Sequence, residues 1–432
     1  MRKIVFLALC LFTIVSVSGC QDANELDEWA YVYTIGIDKG TSDNYRLTLQ
    51  IPTFKQSSGS SGGGVGGQSS SSESSGQSSQ SSEYAVISID CPSLYVGINM
   101  INTSLSRTIN VMHAKFIVIS EELAKENIGQ MADSLIRDRQ IRRIAHFIIV
   151  KGEASKFIEA FNPVVGTAMS KNQEDMIKQV DISGLAADTT LGDFIENLKA
   201  TKSQPYASLV AINDFSSLKK SGDKPSGTKT FMNYYAGQLP RKGGNQYEIL
   251  GTALFDGGKM IGELNGDESR VLLMTQGKFQ IASYAIEDPI ETKLTDTLKV
   301  RQQKKPRIQI SFQNNEPIIN LTIFLEGDLQ AVQSLEDKDD RELIPLLEEK
   351  FKAALKEEVD QTIDKCKKLN CDVFGFGNTA CRQFFTIQEW EDYHWISNFK
   401  NATVNTKIEF IIKRDGTLLK NNPVQSTKGA GK

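Results

Sequence analysis

A chain of 432 residues is long enough to build two or three hydrophobic cores. Its net charge of −4 speaks against nucleic-acid binding, which needs clustered Lys and Arg to neutralise phosphates. Six cysteines are too few for a disulfide scaffold, so the fold must stand on its cores.

In chain order, Arg2 and Lys3 precede the apolar run Ile4 to Val17. That run is shorter than the roughly 20 residues a spanning helix needs, and it reads as the core of a secretory signal. Val17-Ser18-Gly19-Cys20 follows and resembles the bacterial lipobox. The small residues let the chain enter a signal-peptidase cleft, and the Cys20 thiol accepts diacylglycerol. Removing a signal peptide of residues 1–19 takes Arg2 and Lys3 with it and leaves a net charge of −6. Two acyl chains hold a protein stably where one holds it marginally. No later stretch approaches about 18 consecutive apolar residues, so an anchored chain with no transmembrane helix is expected.

Tyr31 to Asp38 and Tyr45 to Pro52 read as strands joined by a polar turn. From Gln56 to Glu83 the chain is almost all Ser, Gly and Gln, a composition that cannot offset the entropy of ordering. This 56–83 tract reads as a disordered insertion at a sheet edge, and Tyr84 to Asp90 resumes as a strand. Leu94, Ile98, Ile101 and Leu105 share one helical face, and Val111 to Ser120 reads as a strand running into a helix at Glu121. Met131, Leu135 and Ile136 form a helical stripe, Ile144 to Val150 a strand, and Lys156 to Phe161 a helix. A helix over Gly192 to Lys199 and a strand over Tyr206 to Ile212 precede a polar loop, Ser216 to Asn245.

Tyr247 to Phe255 and Lys259 to Glu263 form a hairpin about Asp256-Gly257. Strands follow at Gly277 to Ile286, Arg307 to Phe312 and Ile318 to Glu326, with the basic run Arg301 to Arg307 read as a solvated loop. Leu343, Leu347, Phe351, Leu355, Val359, Ile363 and Cys366 then trace one stripe, the mark of a long core helix. Ala402 to Lys413 is the last strand. Strand pairs and helices mix without steady βαβ alternation. The expected class is therefore α+β, three domains of mainly antiparallel or mixed sheets with packed helices. Their expected limits are 20–165, 166–285 and 286–420, with a polar tail over 421–432.

Side chains that could carry chemistry are sparse. Ser216 and Lys219 fit S-x-x-K and Ser42-Asp43-Asn44 fits S-D-N, but their order is wrong and no K-T-G follows. His113, His146 and His394 are the only histidines, and His113 reads as structural. Cys366, Cys371 and Cys381 lack the C-x2-C pairing of structural zinc sites. Buried thiols are expected there, with the disulfide state of these three and of Cys91 left open. No catalytic residue, cofactor or metal ligand is assigned. Gly375 and Gly377 form a lone G-x-G, read as a structural turn after the long helix with Phe374 and Phe376 beneath it.

Several short motifs occur in a fixed order. Asp22 and Glu25-Leu26 follow Cys20, and a strand ends Ile35-Gly36-Ile37-Asp38-Lys39. His113 to Lys115, Ser120 to Ala124, Leu135 to Asp138 and Ile141-Arg142 come next. Thr190 to Phe194, Gly251 to Phe255 and Asp372 to Gly377 complete the series. Together they resemble the C-subunit lipoproteins of spore germinant receptors, the Ger(x)C family. Gln21 departs from the Trp often found there, and the Ser/Gly tract lies outside the usual pattern.

The resemblance implies a non-enzymatic, lipid-anchored protein at the outer face of the inner spore membrane. It also implies partners, an A subunit and a polytopic B subunit, with any contact to a small nutrient germinant direct or through them. The role implied is receptor assembly and the triggering of germination. The rival reading is an extracytoplasmic solute-binding lipoprotein of an uptake system, which would need doubly wound parallel lobes.

Overall fold

The computed structural model describes residues 2–4, 25, 28–53, 84–161, 169–218, 229–289, 291–333, 340–414, 425–426 and 429–430. Cys20, positions 5–19, the 56–83 tract and most of the 421–432 tail lie outside the described residues.

The chain enters through β1 (Trp29–Tyr31) and continues into the hairpin β2 (Thr34–Lys39) and β3 (Tyr45–Pro52). Strand β4 (Tyr84–Cys91) pairs antiparallel with β3, so that Pro52 and Tyr84 are direct partners. Helix α1 (Leu94–Ile101) and β5 (Thr108–Asn110), which lies parallel to β1, lead to β6 (Phe116–Ser120). Helices α2 (Glu121–Glu126) and α3 (Gly129–Leu135) cross over to β7 (His146–Lys151). Helices α4 (Ala154–Glu159), α5 (Met169–Ser183) and α6 (Leu191–Lys199) cross over to β8 (Tyr206–Ile212).

Strands β2, β6, β7 and β8 are therefore neighbours and parallel, as helical crossovers require. Helices cover both faces, which is why all five residues of β6 are apolar or buried. The hairpin β9 (Tyr247–Asp256) and β10 (Lys259–Leu264) closes one edge antiparallel, giving the order β10-β9-β8-β7-β6-β2-β3-β4.

Helix α7 (Gly266–Gln276) leads to a second sheet of β11 (Ile281–Glu287), β12 (Thr295–Gln313) and β13 (Glu316–Ala331), all antiparallel. Helices α8 (Asp340–Lys368), α9 (Gly377–Ala380), α10 (Ile387–Tyr393) and α11 (Trp395–Asn398) follow. Strand β14 (Thr403–Arg414) then returns parallel to β13. The stripe from Leu343 to Cys366 is buried against this sheet, so α8 is a core helix.

The class is α+β with mixed sheets. The first sheet is mixed, with a parallel centre that periodicity does not report because strand order is non-local. That sheet is continuous across position 165/166, drawing β2 to β7 from one side and β8 to β10 from the other. The second sheet starts with β11, before position 286. The run Arg301 to Arg307 is not a loop. It lies within β12, where two register shifts take up the irregularity around Pro306.

Candidate functional site

Helix α8 ends where Asn370 takes a left-handed conformation, φ 51°. The chain then reverses into Asp372-Val373-Phe374-Gly375-Phe376-Gly377. The Asp372 carboxylate is fully buried. It accepts hydrogen bonds from the backbone N–H groups of Gly375 at 3.0 Å, Phe376 at 3.2 Å and Gly377 at 2.9 Å. The indole Nε1 of Trp395 donates to it at 2.8 Å. Burial pushes the Asp372 pKa up to about 6 while the four donors pull it back, so the group is an anion at neutral pH.

The two glycines do different work. Gly375 has φ +76°, a conformation other residues adopt at a cost. Gly377 opens α9, and its need is space. A Cβ there would stand 2.2 Å from the Lys202 carbonyl oxygen and 2.7 Å from Trp395 Nε1. Phe374 and Phe376 are buried beneath the turn, their rings 5.3 Å apart.

This turn is the joint between the two sheets. The Asp372 N–H donates to Gln204 Oε1 at 2.8 Å, and the Gln204 N–H donates to the Asp372 carbonyl at 3.0 Å. Gln204 Nε2 also reaches Asp256 Oδ1 at the end of β9, 3.0 Å away. Gln276 Nε2 donates to the Val373 carbonyl at 2.7 Å. Every donor around Asp372 is engaged within the protein, so no reactant has a place on it. The arrangement can fix two units together and cannot run acid–base chemistry. Beside it lies a cleft of about 580 Å³ whose charged lining residues are Lys278, Lys305 and Arg382.

Other motif residues also build rather than react. Asp38 caps α4, accepting from Ala154 N at 2.6 Å and Ser155 N at 2.9 Å. Gly36 makes room for that helix, since a Cβ would meet Ile158 Cδ1 at 2.5 Å. Thr190 and Asp193 form a capping box on α6, and Phe194 packs on Phe147 at 4.3 Å. Gly251, at φ +89°, admits the Leu264 carbonyl where a Cβ would stand 2.5 Å from it.

The histidines stand apart from one another. His113 meets the Tyr31 ring edge-on at 4.9 Å, and His146 Nδ1 is 2.9 Å from Asp188 Oδ1. His394 is the left-handed residue between α10 and α11. Ser42-Asp43-Asn44 is the β2–β3 turn, and Ser216 N–H donates to Asp214, with Lys219 outside the described residues. Cys91, Cys366, Cys371 and Cys381 are free thiols, and burial pushes Cys366 and Cys371 well above the usual thiol range. Among the described residues no three His, Cys, Asp or Glu side chains cluster as metal ligands would. No described helix is long and apolar enough to cross a membrane.

Comparison with known proteins adds an independent line. Residues 22–212 match the family model of the spore germination protein N-terminal domain. Residues 250–416 match that of the spore germination B3/GerAC-like C-terminal domain. Spore germination protein KC of Bacillus subtilis (strain 168) is 24% identical over 432 residues, covering 98% of each chain. Spore germination protein B3 of the same organism is 21% identical over 362 residues, covering 83% of each. A crystal structure of the GerBC protein aligns with 91% of this chain and all of its own, at 16% identity and a TM-score of 0.49.

Proposed function

The chain belongs to the Ger(x)C family of germinant-receptor C subunits, and from that premise we propose that it is the lipid-anchored C subunit of a nutrient germinant receptor. In this reading diacylglycerol on Cys20 holds it at the outer face of the inner spore membrane. It assembles there with an A subunit and a polytopic B subunit, and the assembled receptor triggers germination when a small nutrient arrives. The observation that carries the reading is the ordered pair of family matches, over 22–212 and 250–416 of one chain.

The site geometry supports a binding and assembly role. The motif residues are engaged in caps, close approaches and a buried joint, which suits a protein that works by holding surfaces in place. A solute-binding lipoprotein would carry two doubly wound lobes. Here only the first sheet has a parallel centre, and three of the four strands of the second run antiparallel in sequence order.

Spores carrying Cys20→Ala test the reading. Wild-type chain labelled with a fatty-acid analogue should run with the inner membrane, whereas the variant should be unlabelled and lost from it. Response to at least one amino acid or sugar should disappear with the anchor. A wild-type chain that takes no label, beside a variant that stays on the membrane and responds normally, would overturn the proposal.

A further inference from the structure

One rim of the first sheet gathers five arginines in two neighbouring loops of a chain that is acidic overall. Strands β2, β6 and β7 all start there, so the loops that feed them lie side by side. Arg107 sits between α1 and β5, and Arg137, Arg139, Arg142 and Arg143 sit between α3 and β7. All five are exposed. The loops are tied together, since the Val111 N–H donates to Gln140 Oε1 at 3.5 Å and the Gly192 N–H to the Arg143 carbonyl at 2.8 Å. Arg137 stands 3.8 Å from Asp133. Arg107, Arg139, Arg142 and Arg143 make no ion pair among the described residues. Over 102–114 and 134–146 the one acidic residue is Asp138, against five arginines, in a chain whose mature charge is −6.

Two further features separate this rim from an ordinary solvated loop. Ile144 and Met112 are 64% and 41% exposed, apolar groups set among the arginines. The chain also enters at this rim. Strand β1 pairs with β5, and Tyr31 packs on His113. Cys20 precedes Trp29 by nine residues, a span of at most roughly 30 Å when fully extended. An anchor on Cys20 thus keeps this rim close to the bilayer. Charge attraction acts over about one Debye length, near 8 Å at physiological salt.

We infer that the arginine rim lies flat on the anionic lipid headgroups of the membrane that anchors the chain, with Ile144 at the headgroup boundary. This rests on the reading of Cys20 as the lipid anchor, and it adds an orientation to it. The amino rim of the first sheet faces the membrane, leaving the exposed surface of the second sheet free to meet other subunits. Each arginine near an anionic surface strengthens partition by on the order of fivefold.

The test uses the mature chain, residues 20–432, made without lipid and kept reduced, sedimented with vesicles. It should bind vesicles of equal parts phosphatidylcholine and phosphatidylglycerol, lose binding as salt rises, and ignore pure phosphatidylcholine. Arg139→Gln/Arg142→Gln/Arg143→Gln should lower partition by on the order of a hundredfold, with an unchanged melting curve. Lys356→Gln/Lys400→Gln/Lys407→Gln, which removes the same charge from the exposed surface of the second unit, should bind as wild type. Absence of binding, equal binding to both vesicles, or a rim variant that binds as wild type would overturn the inference. So would a rim variant that keeps vesicle binding and loses a partner protein, which would make the rim a protein interface. Because this chain carries no lipid, failed fatty-acid labelling in spores with vesicle binding intact would sink only the anchor reading.

Discussion

At Asp372 two effects oppose each other, and pH separates them. Its folded value of about 6 lies above the unfolded 3.8, so the folded chain holds the proton more tightly between those values. By linkage, this group's contribution is fully present below about pH 4 and falls as pH rises to about 6. Urea unfolding midpoints should fall across that window, and Asp372→Asn should remove that part of the slope. The same variant should lose about 1–3 kcal/mol at pH 7, because its NH2 group faces backbone donors left without an acceptor. Equal slopes in the two proteins would contradict the assignment. The neighbouring glycines give a second check. Gly375→Ala should cost about 1–3 kcal/mol through its left-handed backbone. Gly377→Ala should cost more, because the Lys202 carbonyl 2.2 Å from the new Cβ belongs to a backbone that cannot swing aside. In spores both should lower receptor abundance and weaken all nutrient responses together. Selective loss of one response at normal abundance would make the turn part of a ligand site.

The β3–β4 pair sets the ends of the long segment between its strands. Pro52 and Tyr84 are partners in the ladder, so the segment between them only has to close on itself. Deleting Ser57 to Ser82 leaves a short hairpin loop, and lower closure entropy should raise stability by at most about 1–2 kcal/mol. A large fall in the thermal midpoint would show that the tract contributes packing. Elements with a clean local signal were legible in the sequence. Strands β3 and β8 fall at the limits read from the sequence, β14 lies one residue further along at each end, and α8 follows its apolar stripe. Helix α7 gives no such stripe, because Val271, Leu272, Leu273 and Met274 are buried in succession. Its readable signal is the capping box Asn265/Glu268, with left-handed Gly277 at the other end. Helix α5 is polar along most of its length, and among its described side chains only Ile177 and Val180 are deeply buried, so its period is faint. The partners of the segment from Asp372 to Gly377 carry no local signal. Gln204 lies 168 residues from Asp372, and nothing local announces either that contact or Trp395.

Across the molecule, a buried joint fixes the second sheet to the first, and the long hairpin β12–β13 extends the second sheet. The free thiols at Cys366 and Cys371 sit inside the core. The residues of the short ordered motifs, from Asp38 to Gly377, are for the most part parts of this scaffold. That division of labour predicts a protein that acts through partners. The direct measurement is affinity purification of the tagged chain from detergent-solubilised inner spore membranes. The A and B subunits should elute with it in comparable amounts. Elution of the chain alone, from membranes in which both subunits are present, would contradict the account.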